Sequence, residues 1–304
     1  MSVASSMMEC VLTVTATFEE FRGNLEITGL QESVVAARQE RVRASAARGL
    51  TVRRSFLTGS YRRRTLIAPM RDADVDIIVV LDRGYRRHGP RAVLDMVKAT
   101  LAEEYPSSKI SRNGQAVTIR FSDFTVDVVP AFETWWDSDV LDICNSGDST
   151  WIRTNPGKHI KISSQVNDRT GGLLVPSVKM LKAWIRAAGR PLHGFHLEVI
   201  AWKVLDPGWR AAWFGAGLGM GSDPENLARF FAEAPGRLRR KLPDPARGEG
   251  DVGAYLTDLG REEAISKLET AGSRCKRAAQ LLADGDVASA NALYRKVFGD
   301  AFPR

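Results

Sequence analysis

Cysteine and histidine are scarce in this chain, and long apolar runs are missing from it. The three cysteines, Cys10, Cys144 and Cys275, are far apart and form no CxxC pair, which argues against a disulfide framework and favours a reducing cytosol. The four histidines do not cluster with cysteine, so no structural zinc site is indicated. No apolar run approaches the roughly 18–20 residues of a membrane span, and the N-terminus lacks the basic region of a signal peptide. The sequence predicts a cytoplasmic protein without a membrane segment.

The composition is that of an ordinary globular protein. The 304 residues suffice for two modest domains or one larger domain. Apolar residues make up 44% and charged residues 26% of the chain, as in typical soluble domains. Lys and Arg number 43 against 36 Asp and Glu, which gives a net charge of +7. This mild excess suits a phosphate pocket as well as a nucleic-acid surface.

Apolar periodicity divides the chain into a mixed part and a helical part. Amphipathic helices are predicted over residues 18–49 and 90–105. Runs rich in Val, Ile and Phe predict strands at residues 55–57, 76–81, 116–121 and 125–129. After about residue 165 the helical period takes over, with helices predicted at residues 175–188, 195–205, 224–231, 262–283 and 289–298. The pattern predicts a mixed α/β domain followed by an all-helical one.

Three aspartates occupy strands that are otherwise apolar. Asp74 and Asp76 open the strand that continues as IIVVL, and Asp127 lies within FTVDVV. Because side chains alternate along a strand, Asp74 and Asp76 point to one face. Buried like charges repel, and a divalent cation between them removes that cost. The three acids are therefore predicted to chelate two Mg²⁺ ions. The alternative is a turn followed by solvated carboxylates.

A Gly-Ser pair ends the strand upstream of these acids. Gly59 and Ser60 follow the run Phe-Leu-Thr. A glycine there lets the backbone approach a phosphate, to which amide N–H groups and the serine hydroxyl can donate hydrogen bonds. An ordinary turn is the alternative interpretation of this dipeptide. The combination of strand, Gly-Ser, DxD and a later strand Asp is much rarer than any of its parts, and it favours nucleotide chemistry.

These residues resemble a known family. The stretch GSYRRRTLIAPMRDADVDIIVVL, followed by FTVDVVPAF, resembles the polymerase-β-like nucleotidyltransferases. It is closer still to their CD-NTase (cGAS/DncV-like) and oligoadenylate synthetase branch. The segment from Asn155 and Pro156 to His159, the Lys-x-Trp helix around Trp184 and the Leu-Glu pair ending at Glu198 extend the likeness. The match is specific over residues 50–205 and weak beyond them.

The resemblance implies a fold, two domains and a set of site residues. The implied fold is α+β, with a mixed sheet and a long N-terminal helix in a catalytic domain (1–165), followed by an all-helical, oligoadenylate synthetase-like domain (166–304). The implied metal ligands and catalytic residues are Asp74, Asp76 and Asp127, holding two Mg²⁺ ions with Mn²⁺ as the alternative. The implied nucleotide-binding residues are Gly59, Ser60, Lys179, Lys182 and Phe195, of which Lys182 would reach the triphosphate and Phe195 would stack on the donor base.

The implied activity is synthesis of a cyclic di- or trinucleotide messenger from NTPs in bacterial antiphage signalling, with release of pyrophosphate. ATP is the first substrate expected, with GTP, UTP or CTP as further ones. Nucleic acid and a regulatory protein are optional partners. Two other functions stay open: a linear 2′-5′ oligonucleotide synthetase or a transferase acting on tRNA or a small molecule, and a non-catalytic nucleotide- or RNA-binding module on the same fold. Base preference, product linkage, activating signal and oligomeric state are not predicted.

Overall fold

The computed structural model describes the backbone of residues 3–208, 221–246 and 250–304, and the side chains of these ranges from Thr13 onward. Two compact units divide the chain: one is Ile27–Ile162, and the other joins Met1–Glu26 to Ser163–Arg304. No helix in the described ranges has both the length and the apolarity needed to cross a bilayer.

A seven-stranded mixed sheet forms the centre of the first unit. Its strands are β1 (Val52–Leu57), β2 (Asp74–Leu81), β3 (Lys109–Asn113), β4 (Ala116–Arg120), β5 (Thr125–Glu133), β6 (Leu141–Asn145) and β7 (Thr150–Thr154). The order is β1-β2-β5-β4-β3, and β6 pairs with β5 and with β7. Only the β2–β5 pair is parallel among these ladders. This sheet confirms the mixed α/β fold predicted from the sequence.

Hydrophobic packing covers both faces of the sheet. Helices α2 (Gly29–Gly49) and α4 (Pro90–Glu104) contribute Val42 and Leu94 to a large cluster that includes Ile77 and Val79 of β2. The opposite face carries a smaller cluster around Ile78 and Val80. Because strand side chains alternate, Asp74 and Asp76 lie on the face of the smaller cluster. The short helix α3 (Gly59–Arg62) follows β1 directly.

The β3–β4 hairpin turns at a glycine. Asn113 pairs with Ala116 across a two-residue loop, and Gly114 in that loop has a φ of +57°. Only glycine adopts such a left-handed conformation without steric cost. An added Cβ at Gly114 would meet nothing within 4 Å, so the conformation, and not crowding, is what selects glycine at this turn.

The second unit is helical in the ranges that the structure describes. Its helices are α1 (Val3–Leu25), α5 (Pro156–Arg169, which begins in the first unit), α6 (Leu174–Ala187), α7 (Gly194–Leu205), α8 (Asp223–Leu238), α9 (Asp258–Ala283) and α10 (Val287–Phe298). An aromatic cluster joins the first of these to the last. The ring of Phe18 lies 5.1 Å from that of Tyr294 and 5.5 Å from that of Phe302, and the rings of Phe21 and Phe298 are 5.0 Å apart.

The long N-terminal helix is confirmed, but the prediction of one continuous helix over residues 18–49 is wrong. The helix ends at Leu25, and a new one begins after Thr28. The Thr28 hydroxyl accepts a hydrogen bond from the Gln31 N–H, and the Gln31 side chain accepts one from the Thr28 N–H. This capping box satisfies N–H groups that a helix start leaves open. Thr28 and Gln31 were the sequence signal for the break.

The remaining elements agree with the sequence in most places. The strands predicted at 55–57, 76–81, 116–121 and 125–129 are β1, β2, β4 and β5, and the predicted later helices are α4 and α6–α10. Helix α8 runs through Pro235 to Leu238, beyond the predicted end at residue 231. Strands β3, β6 and β7 and helix α5 were not predicted. The division into domains 1–165 and 166–304 stays a prediction, and the compact units differ from it by grouping residues 1–26 with the C-terminal helices.

Candidate active site

Two of the three predicted metal-binding aspartates lie side by side on neighbouring strands. The parallel ladder of β2 and β5 pairs Asp76 with Asp127, and Asp74 with Thr125. Asp74 is exposed, whereas Asp76 and Asp127 are half-buried. Strands lie about 4.8 Å apart in a sheet, so two carboxylates at one level of the ladder are near neighbours. The sheet therefore concentrates negative charge at the end where β2 and β5 begin.

Gly59 lies directly against the Asp76 carboxylate. A Cβ built on Gly59 would be 1.7 Å from Oδ2 of Asp76, and the φ of Gly59 is +61°. The backbone N–H of Thr58 donates to the Asp76 carbonyl at 2.9 Å, which holds the end of β1 beside the DxD segment. Any side chain at position 59 would occupy the space of the carboxylate. The glycine is thus required by close approach and by backbone conformation together.

Ser60 lies in the first turn of the four-residue helix α3. Its carbonyl accepts a hydrogen bond from the Thr65 N–H at 2.8 Å, and the Gly59 carbonyl accepts one from the Arg63 N–H at 3.2 Å. The first N–H groups of a helix have no acceptor inside that helix, so this turn presents donors next to Asp76. The arrangement fits the predicted phosphate-binding role of Gly59 and Ser60, which remains a prediction.

Asp127 is held by a threonine that the sequence analysis did not select. Thr118 is its neighbour on β4, and the Thr118 hydroxyl donates to Oδ1 of Asp127 at 2.5 Å. Burial raises the pKa of Asp127, while the Thr118 hydrogen bond and the positive charge of Arg120 act in the opposite direction. A polar Thr in the apolar strand AVTIR was the available signal for this contact.

The donor set of these residues fits a divalent cation. Asp74, Asp76 and Asp127 offer only carboxylate oxygens, the ligands that Mg²⁺ and Mn²⁺ prefer. The raised pKa of Asp127 shows that burial disfavours its charge, and a bound cation offsets such a cost. Within the described ranges, no three His, Cys, Asp or Glu side chains already converge as a ligand set. Holding the ion would therefore include a side-chain adjustment at these positions.

The predicted lysines and phenylalanine lie in the second unit. The Lys182 ammonium on α6 lies 2.6 Å from a carboxylate oxygen of Glu198 on α7, whose side chain is 0% exposed. Lys179, one turn earlier, pairs with Glu26 at 2.5 Å. Both lysines therefore have carboxylate partners within their own unit, which gives each a structural role alongside the predicted one.

Phe195 is the second residue of α7, next to a glycine that lies close to Lys182. A Cβ built on the neighbouring Gly194 would lie 3.5 Å from Cε of Lys182. The Lys182 side chain, which comes from α6, therefore reaches the start of the helix that carries Phe195. The Phe195 ring meets the Trp202 ring edge-on, with the centroids 6.0 Å apart, and the side chain is partly exposed. The accessible part of the ring is compatible with base stacking, which stays a prediction.

Comparison with known proteins identifies the family. The Second Messenger Oligonucleotide or Dinucleotide Synthetase (SMODS) domain matches residues 12–167, just over half of the chain. The chain is 26% identical to a cyclic AMP-AMP-AMP synthase of an Acinetobacter species, over 82% of this chain and 73% of the relative. It is 24% identical to a cyclic AMP-AMP-GMP synthase of Enterobacter hormaechei, over 94% of this chain and 91% of the relative.

The fold is shared with a solved bacterial CD-NTase. The structure of E. coli CdnC with ATP has a TM-score of 0.75 at 17% identity and covers 95% of this chain and 99% of CdnC. A second CdnC structure, in complex with HORMA-deltaN, has the same TM-score. The family match, the fold and the paired acids agree. The chain belongs to the SMODS family and is a nucleotidyltransferase of the CD-NTase type.

Proposed function

We propose that this enzyme joins NTPs into a cyclic di- or trinucleotide and releases pyrophosphate at each transfer. The pairing of Asp76 with Asp127 in one ladder, with Asp74 on the same strand and Gly59 against Asp76, carries the proposal. The two relatives above are named as synthases of cyclic trinucleotides built from AMP and GMP. Their names support ATP as the first substrate and GTP as the next.

The acids would bind the metal ions, and the turn after β1 would bind the donor triphosphate. Asp74, Asp76 and Asp127 would hold the two divalent cations, which when bound neutralise phosphate charge and activate the attacking hydroxyl. The N–H groups around Gly59 and the Ser60 hydroxyl would bind the donor triphosphate. The 3′- or 2′-hydroxyl of one nucleotide would then attack the α-phosphorus of the other, and a second transfer would close the ring.

Lys182 would contribute a charge to the triphosphate, and Phe195 a stacking surface for the donor base. The proximity of Lys182 to Gly194, immediately before Phe195, supports a joint role. The Lys182–Glu198 ion pair would hold the ammonium in one place, so that little side-chain entropy is lost when phosphate binds. Lys179, paired with Glu26, is the weaker candidate for nucleotide contact.

The biological setting is also part of the proposal. Cyclic nucleotide products of such an enzyme would act as second messengers in bacterial antiphage signalling, in the cytoplasm. The complex of E. coli CdnC with HORMA-deltaN supports a regulatory protein partner. Nucleic acid stays an optional partner in this proposal.

A product assay tests the proposal. Purified enzyme is incubated with Mg²⁺ and labelled NTPs, alone and in pairs, and the products are treated with phosphatase and resolved by mass spectrometry. The variant with Asp74→Asn and Asp76→Asn serves as the inactive control. A phosphatase-resistant cyclic product that the variant does not make supports the proposal.

The same assay separates the two other functions. A ladder of linear products indicates an oligonucleotide synthetase, and transfer only to added tRNA or a small molecule indicates a different acceptor. Absence of pyrophosphate release with every NTP and activator, together with nucleotide or RNA binding, indicates a non-catalytic module. The presence of all three acids argues against that last function.

A further inference from the structure

The outer edge of the sheet has backbone hydrogen-bonding groups that the fold leaves open. In the described ranges β1 pairs only with β2, in antiparallel register. The N–H of Thr58 donates to the Asp76 carbonyl, which makes this a hydrogen-bonded pair. Such pairs alternate along an antiparallel ladder, so Phe56 and Arg54 also bond to β2. The N–H and C=O groups of Ser55 and Leu57 must therefore point away from it.

These four groups have no hydrogen-bond partner in the part of the chain that the structure describes. They repeat at a spacing of two residues, which is the spacing that a neighbouring strand would match. The Ser55 hydroxyl is not one of these groups, because its Oγ is buried and a strand side chain points to a face of the sheet and not along its edge.

A groove of about 410 Å³ lies along this edge. Four consecutive residues, from Arg54 to Leu57, line it. Because neighbouring side chains of a strand point to opposite faces, a groove that meets all four must follow the edge of the strand. Gln39 of α2 lines one part of the groove, and Ile160 of α5 lines another. None of the predicted catalytic or nucleotide-binding residues lines it.

One positive charge in the groove, that of Arg62, favours an acidic side chain beside it. Arg62 lines the groove and has no ion-pair partner within the described ranges. Arg54 is compensated by Glu133, with Nε 2.9 Å from the carboxylate. Asp139 also lines the groove and contributes one negative charge. The whole chain carries a net charge of +7, so attraction of an acidic segment is not opposed at longer range.

We propose that the open edge of β1 receives an extended, acidic peptide segment of a partner protein as an added strand. Its backbone would pair with the N–H and C=O groups of Ser55 and Leu57, as in other cases of strand addition. An acidic side chain would face Arg62, and apolar ones would contact Phe56 and Ile160. The groove adjoins the turn of Gly59 and Ser60, since Leu57 and Arg62 both line it, so the proposal is tested by peptide binding and not by turnover.

The test uses the full-length chain and labelled model peptides. Fluorescence anisotropy follows binding of a fluorescein-labelled octapeptide of alternating valine and glutamate. Two control peptides are the lysine counterpart and an N-methylated version that cannot pair as a strand. Ser55→Pro removes an outward N–H without touching the ladder to β2, because that group does not bond there. Ser55→Ala keeps the N–H and is the matched control.

The acidic peptide should bind, and neither control peptide should. Ser55→Pro should weaken binding by about fivefold or more, which corresponds to one lost hydrogen bond, whereas Ser55→Ala should stay close to the unmodified chain. Arg62→Glu should weaken binding more than Arg53→Glu, because Arg53 is exposed on the same strand and does not line the groove.

Hydrogen exchange on the unmodified chain provides a second measurement that needs no variant. The acidic peptide should slow exchange at the Ser55 and Leu57 amides, while the Phe56 amide, already bonded to β2, should change little. Equal binding of all three peptides, no binding of the acidic one at millimolar concentration, or protection by inorganic phosphate alone would each overturn the proposal. The last outcome would assign the groove to a small anion.

Discussion

Replacing Gly59 by alanine tests whether the turn after β1 sets the position of Asp76, a predicted catalytic residue. The new Cβ would lie 1.7 Å from Oδ2 of Asp76, whereas ordinary contact begins near 3.4 Å. Either the Asp76 carboxylate or the turn must move by about 1.7 Å, the difference between 3.4 Å and 1.7 Å. The left-handed φ of +61° adds a cost of about 1 kcal/mol for any residue with a Cβ.

Gly59→Ala should lower the rate of product formation more than it lowers the stability of the fold. Displacing a reacting group by about 1 Å can lower a rate by roughly 100-fold, and Asp76 is a predicted metal ligand. We expect Gly59→Ala to reduce product formation by about this factor under saturating NTP. Thermal stability should fall only modestly, because the Asp76 side chain is half-buried and its carboxylate can turn away from the new Cβ.

Gly114→Ala is the matched control. Gly114 lies in the same unit with a similar φ of +57°, but nothing lies within 4 Å of its added Cβ. It should therefore incur the backbone cost without displacing a carboxylate, and it should keep near-normal turnover. Initial rates of pyrophosphate release and thermal denaturation midpoints measure both effects. If the two variants lose activity equally, or if Gly59→Ala keeps more than half of it, the assignment of this turn is wrong.

Three further predictions concern titratable side chains that are wholly or partly buried. Asp127→Asn should lower turnover by about 100-fold or more with an unchanged or higher melting temperature, because burial disfavours the carboxylate; a marked drop in melting temperature would contradict this. Lys182→Met should destabilise the fold by about 3–5 kcal/mol in denaturant titration, since it leaves the fully buried Glu198 carboxylate without its ammonium. Adding Glu198→Leu to the Lys182→Met variant should restore stability but not turnover. If both recover, Lys182 has only a structural role. Burial lowers the pKa of His196 from 6.5 to about 4. Below pH 6.5 the unfolded chain therefore binds a proton at this residue that the folded chain does not bind. The free energy of unfolding consequently falls as the pH drops from 6.5 towards 4, by about 2 kcal/mol at pH 5. His196→Gln should flatten this dependence in denaturant titrations at pH 7 and 5, and the exposed His88→Gln should leave it unchanged.

The sequence was sufficient for the strands that carry the acids. An uninterrupted apolar run after Asp76 indicates a strand covered on both faces, and Ile77 to Leu81 are indeed buried. The alternation of side chains also places Asp74 and Asp76 on one face without any tertiary information. Both inferences depend only on local geometry, which is why they could be made from residues alone.

Long-range contacts were not accessible in the same way. The pairing of Asp76 with Asp127 depends on the register of a parallel ladder between strands 51 residues apart, as the paired numbers show. The hydrogen bond from Thr118 to Asp127 and the contact of Gly59 with Asp76 depend on the same packing. Lys179 is a further example, since the resemblance implied a nucleotide contact but could not reveal the ion pair with Glu26, which lies 153 positions away between α1 and α2.

The missed elements also have physical reasons. Strand β3 is mostly exposed and polar, so it has no apolar alternation to detect. Strands β6 and β7 have polar residues at two and three of their five positions, so neither has the run of apolar residues that identified the equally short β4. The break before α2 was detectable, because Thr28 and Gln31 have the spacing of a capping box, but helix formers on both sides concealed it.

The grouping of the first helix with the last residues has a consequence for synthesis on the ribosome. Once Ile162 has emerged, the nascent chain contains every strand of the mixed sheet, so that unit can fold while translation continues. Phe18 and Phe21, by contrast, must wait for Phe298 and Phe302, their ring partners. Until these residues have been synthesised, the rings of Phe18 and Phe21 lack these partners, and a product terminated before Phe298 would never acquire them.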